Sequence, residues 1–167
     1  MDKTPSSNTL SAGTAYLVDC IARRESEILQ IVYDSFAPLL YGQIFSVTKE
    51  PARAVRILEK TLVYGVRYVH RHNPNLRLYT WFVQVLNFQI LLDAANSLAG
   101  RILADDRDPD HYTVAWNRLS DPEKQVLELA FFKGCGEEEI AAILEWPVDR
   151  VRHRISAALI HFHDLFS

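Results

Sequence analysis

Apolar residues recur at three- and four-residue steps through most of the chain, the rhythm of amphipathic helix, and no segment offers a strand candidate. From Tyr16 to about Val47 the series is Leu17, Ile21, Ile28, Ile31, Val32, Phe36, Leu39, Leu40 and Ile44, with Pro38 marking a kink or a break. A second helix is expected from about Pro51 to Arg71, with Ala54, Ile57, Leu58, Thr61, Leu62, Val66 and Val69 inward. The tetrapeptide HNPN at 72–75 is a turn by composition. A third helix, Leu78 to about Leu98, is apolar on nearly every face at its centre and is expected to be the buried one.

The last third is patterned more finely. Ser120 or Asp121 can cap a helix that has Pro122 early and Glu123 in its first turn, and Val126, Leu127, Ala130 and Phe131 then share one face. Gly134 and Gly136 are expected to end it. A short helix from Glu137 to Leu144 follows, with three acidic residues at the positive end of its dipole and Ile140, Ala141 and Leu144 as its buried stripe. Glu145, Trp146 and Pro147 interrupt the pattern. On the third helix Val151, Ile155, Ala158, Leu159 and Phe162 lie inward, while Arg150, Arg152, His153 and Arg154 emerge near its start. Trp146, Phe162 and Phe166 are expected to cap the core of this C-terminal unit.

These elements predict an all-α protein of two small helical domains, the second a helix-turn-helix. Residues 1–14, rich in Ser and Thr, read as a flexible start, 15–99 as the first domain, 100–115 with its ADDRDPD run as a linker, and 116–167 as the second domain. Nearly half the residues are apolar, enough for a core in a chain of 167. No apolar window reaches membrane-spanning length and the start has no apolar signal core, so no membrane insertion and a cytoplasmic location are expected.

Charge and chemistry narrow the function. The whole chain carries −3, which argues against indiscriminate nucleic-acid binding; the first hundred residues hold ten basic against eight acidic groups, and those from Trp116 six against nine. Cys20 and Cys135 have neither the count nor the spacing of a disulfide framework or zinc site. The histidines at 70 and 72, and at 161 and 163, would diverge on a helix, so no metal is expected. There is no glycine-rich phosphate loop and no nucleophile-and-base set, and Asp93 is a lone carboxyl on an apolar helix; neither catalysis nor a cofactor is expected.

A short acidic helix, a tight turn and a helix with three arginines near its start make a recognition helix, where a planar guanidinium meets guanine or phosphate. The segment resembles the C-terminal DNA-binding region of bacterial sigma factors, in particular the short, two-domain extracytoplasmic-function group. The resemblance runs through Leu119, Val126, Leu129, Gly134, Glu139, Ile140, Ala141, Leu144, Val151, Arg152, Arg154 and Ala158. Related response-regulator output domains share the motif. Glu145 stands where that family's turn has glycine, Arg150 where it has threonine, and Ala157 where it has arginine.

The N-terminal part is similar to sigma region two, more faintly. Residues 54–69 sit where the family has its acidic polymerase-binding helix, and 78–96 where the promoter-melting helix runs, with Trp81 matching the family's tryptophan. Val55 and Arg56 replace the family's acidic pair, Glu59 its glutamine and Leu62 its aromatic, and the melting helix has lost its basic character. Trp81, Phe82 and Phe88 are aromatic surface for flipped bases or, as their spacing favours, core.

The resemblance implies a sigma-like initiation factor that recruits RNA polymerase to promoter DNA. Its DNA contacts would be Arg150, Arg152, His153 and Arg154, and its polymerase contacts Arg56, Glu59, Lys60 and Leu62. Core RNA polymerase and promoter DNA are the expected partners, with an anti-sigma factor a further candidate. The alternative is a diverged sigma-like protein that serves as an interaction module without initiating transcription.

Overall fold

A computed structural model describes residues 7–100 and 107–167, among which there are eight α-helices and no β-strand. The all-α expectation holds. Helix α1 spans Ser7–Ala22 and α2 Ser26–Thr48. The single run expected over Tyr16 to Val47 is therefore two helices, broken after Ala22 where Arg24 takes a left-handed conformation (φ 57°) despite its side chain. Helix α1 also begins inside the stretch expected to be loose; residues 1–6 lie outside the described part. Pro38 neither breaks nor ends α2. The buried stripe of α2 is Val32, Ala37, Leu40 and Ile44, which leaves Ile31 and Leu39, both expected inward, more than half exposed.

Helix α3 (Pro51–Arg67) starts with a proline at its first position, where the missing amide costs nothing, and passes into a single 3-10 turn at Val69–Arg71. Its inward residues follow the expected stripe, from Ala54, Ile57 and Leu58 to Thr61, while Leu62 and Val66 are half-buried. The HNPN turn is held by the Asn75 amide donating to Asn73 Oδ1 at 2.9 Å, an Asx turn. Helix α4 (Leu78–Ala99) is the buried helix, with eleven side chains enclosed. Gly65 of α3 lets it approach closely: a Cβ there would stand 2.5 Å from Phe82 Cε1. The Trp81 indole donates to Gly65 O at 2.9 Å, and Phe82 is fully buried. Trp81, Phe82 and Phe88 thus take the core reading.

The segment expected as a linker over 100–115 is in its described part largely helical. Residues 101–106 lie outside the description, but α5 runs Pro109–Arg118, capped by Asp108, whose carboxylate accepts from the Asp110 amide at 3.0 Å. Helix α6 (Asp121–Leu127) continues into a π-wound turn, Glu128–Phe132, that ends near Gly134 in the left-handed region (φ 69°). Gly136 does not share that role. Its φ is −73° and it is the N-cap of α7 (Glu137–Leu144). Helix α8, Val148–Phe166, closes the chain.

The two halves share one core. Helix α8 lies against α4, and Phe88 meets Tyr64, Tyr112 and Phe166 with ring centroids 5.5, 4.7 and 5.3 Å apart. Phe166, expected to cap its own unit, reaches across instead, because α8 is long enough to carry it past α5 to α4. Each such buried aromatic contributes about 1.5–3 kcal/mol. Polar straps cross the same seam. Arg71 pairs with Asp108 and Asp110 at 2.9 and 3.2 Å, the Tyr64 hydroxyl donates to Arg107 O at 2.7 Å, and the Arg107 guanidinium donates to Phe166 O while lying over its ring. A smaller core of Leu129, Ile140, Ala141 and Val151 belongs to the helix-turn-helix alone.

Candidate nucleic-acid interface

The angle between α7 and α8 is set locally. Gly136 N–H donates to Glu139 Oε2 at 2.8 Å, closing the start of α7 with a side chain three residues on. At the far end Glu145 adopts φ 54°, the conformation its place in the turn demands and a side chain resists. Pro147 then leads straight into α8. Ile140 of α7 and Val151 of α8 are fully buried against each other's helices, so the start of α8 stands on a fixed base.

That base presents the four predicted residues outward, though not equivalently. Arg150, Arg152 and His153 are exposed and Arg154 is half-buried. The Arg150 guanidinium lies over the Trp146 ring, 4.4 Å from its centroid, a cation–π contact that holds the charge at the rim of the turn. Arg152 is engaged within the protein: its Nε and Nη2 donate to Glu137 Oε2 at 2.9 and 2.7 Å, and Nη1 to Asp149 Oδ1 at 3.3 Å. These bonds, the one to Glu137 above all, raise its pKa further above the usual arginine value. Arg150, His153 and Arg154 have no carboxylate partner among the described residues. Arg150, Arg154 and Ala157 follow at four- and three-residue steps, so the basic stripe stops at the exposed Ala157.

The predicted polymerase contacts lie on α3. Arg56, Glu59 and Lys60 are exposed, whereas Leu62 is half-buried and lines an open groove of about 400 Å³ between α2 and α3 with Leu29, Val32, Tyr33, Val63 and Val66. Arg24 and Arg67 flank that groove. Asp93 is not alone. It accepts from Arg53 Nε at 2.6 Å, tying α4 to α3. Sequence reasoning missed this pair because forty residues separate its members, and no spacing rule joins them. It also missed Glu137 as the partner of Arg152, although an acidic first turn facing a basic helix start was there to be read.

The paired histidines diverge as expected. His161 is exposed with Nδ1 2.9 Å from Glu123 Oε1, while His163 is buried; His70 is exposed and His72 bonds Leu76 O at 2.9 Å. Among the described residues no group of three His, Cys, Asp or Glu could hold a metal, and no helix is long and apolar enough to cross a membrane.

Comparison with known proteins places the C-terminal geometry. Residues 113–162 match the family model "Sigma-70, region 4", from α5 to near the end of α8. Among solved structures, one similar chain comes from the RsbN–BldN complex, at 18% identity and TM-score 0.40, covering 89% of this chain and 98% of that one. Another comes from the complex of the sigma factor RpoE with the anti-sigma factor NepR from Bartonella quintana, at 17% identity and TM-score 0.35, covering 81% and 94%. Neither likeness is close enough to add to the family match, and no curated protein matches. The helices that carry Arg150, Arg152, His153 and Arg154 lie within the 113–162 stretch that is similar to sigma-70 region 4.

Proposed function

We propose that this chain is a sigma-type transcription initiation factor of the extracytoplasmic-function kind, acting in the cytoplasm by recruiting RNA polymerase to promoter DNA. The observation that carries the reading is the region 4 match over the helices that turn Arg150, His153 and Arg154 outward at the start of α8. Phosphate and base contacts belong there, with Arg152 joining once the duplex replaces Glu137. Polymerase is taken by the exposed face of α3, through Arg56, Glu59, Lys60 and the groove lined by Leu62. The work is recruitment and involves no bond chemistry by the protein. An anti-sigma factor as a further partner belongs to the same reading.

A second reading, an interaction module without initiation activity, draws support from α4. The helix that would face single-stranded DNA is enclosed, with Trp81, Phe82 and Phe88 all at most 6% exposed. Phe88 is covered by Tyr112 of α5 and Phe166 of α8, while Trp81 and Phe82 pack on Gly65 of α3 and Phe82 also on Phe36 of α2. Bases therefore reach the three rings only if helices on both sides of α4 part from it.

The test is capture of core RNA polymerase from the host by the purified chain, followed by transcription from a genomic fragment library. Polymerase binding with new transcripts supports initiation. Capture without transcripts, or no capture, selects the second reading. On a promoter so found, Arg150→Ala with Arg154→Ala is expected to weaken binding and lower the salt slope by about two, with helicity intact on circular dichroism. Unchanged affinity in that double variant removes α8 from the DNA interface.

A further inference from the structure

The seam between the halves holds a half-open cavity of about 370 Å³, a volume typical of small-molecule sites. Its wall is a run of aromatic rings from both halves. Tyr64 and Phe88 stand 5.5 Å apart, Phe88 and Tyr112 4.7 Å, Tyr112 and Trp116 6.2 Å, and Trp116 and Phe132 5.4 Å, with Trp81 also on the lining. The polar lining is equally selective: Gln84, Asn87, Thr113 and the carboxylate of Glu128, with no Lys, Arg or His among the described residues. Aromatic faces carry negative potential, and a single carboxylate beside them adds to it.

We propose that this cavity is a binding site for a small planar organic cation, such as a quaternised heteroaromatic ring, stacked on Trp116 and Tyr112 and neutralised by Glu128. Anions are disfavoured there by every charged or aromatic group on the wall. Neutral rings gain the stacking without the charge. Burial, with the Glu128 charge adding to it, raises the Tyr112 pKa, so its hydroxyl stays neutral and offers no competing anion. Because Tyr64, Trp81 and Phe88 come from α3 and α4 and Tyr112, Trp116, Glu128 and Phe132 from the C-terminal half, the site exists only while the halves are together. An occupant therefore holds them closed, and its binding is read as an upward shift in melting temperature. The proposal is independent of the transcriptional reading and stands or falls without it.

The test is calorimetric titration of the full chain with 1-methylquinolinium and, under conditions where it is uncharged, with quinoline. The cation is expected to bind at least about tenfold more tightly than the neutral ring, the difference a desolvated cation–π and carboxylate contact makes. Glu128→Gln, at an exposed position that leaves the fold intact, removes that preference while leaving quinoline binding unchanged; Trp116→Leu weakens both. Equal affinity for the two rings, no binding of the cation at millimolar concentration, or a cation affinity indifferent to Glu128→Gln overturns the proposal.

Discussion

Glu145, like Arg24 and Lys49, holds a left-handed backbone with a side chain attached. In the left-handed region a side chain costs on the order of 1 kcal/mol, and glycine is spared that cost. Glu145→Gly is expected to stabilise the chain by a few tenths to about 1 kcal/mol, part of the gain being offset by glycine's freedom in the unfolded state. Thermal melting followed by circular dichroism checks it, and a lower melting temperature would show that the glutamate contributes something beyond its backbone. This turn was legible in the sequence, since a proline two residues on and the end of an apolar stripe left few conformations to choose from. Gly136 was not. Two glycines two residues apart look alike on paper, yet one ends a helix and the other begins the next, and only the Glu139 carboxylate reaching back to the Gly136 amide distinguishes them.

Among the elements, α6 shows how a short helix is secured at its start. Glu123 accepts from the Ser120 amide and hydroxyl, both at 2.8 Å, and meets His161 of α8. Burial pushes its carboxyl upward, but the bonds from Ser120 and His161 outweigh that and hold it below the usual glutamate range. A depressed folded-state pKa means stability that is present above the ordinary carboxylate range and lost as pH falls through the folded value. Glu123→Gln is therefore expected to lower the melting temperature at neutral pH, with the deficit shrinking as pH falls through the depressed folded-state value. A deficit that persists in acid would mean the loss is of shape and not of charge. Helix positions of this kind were legible because stripes and caps are local. The exposure of Ile31 and Leu39 was not, because α2 continues through Pro38 and its buried stripe is chosen by what α3 and α4 present to it.

At the scale of the molecule, the sequence announces two helical units but not that they close on each other. An apolar stripe says that a face is covered without naming the cover. Phe166 and Phe88 could each have been satisfied within their own half; the 5.3 Å between their rings joins the halves instead. One cooperative melting transition is expected for the whole chain. Phe166→Ala is expected to cost about 3–5 kcal/mol and to split that transition in two, since the helix-turn-helix retains its own small core. Differential scanning calorimetry decides, and a single transition in the variant would show that the Arg71 and Arg107 straps hold the seam without the ring. The exposed basic start of α8 was legible because chemistry and spacing coincide there, whereas the enclosure of α4 follows only from the packing.

The chain has three tryptophans, and two of them, Trp81 and Trp116, line the seam cavity from opposite halves. The protein thus carries its own optical gauge: any event that draws the halves apart wets both indoles and moves their emission to longer wavelength, so opening on polymerase or DNA can be followed in real time without a label.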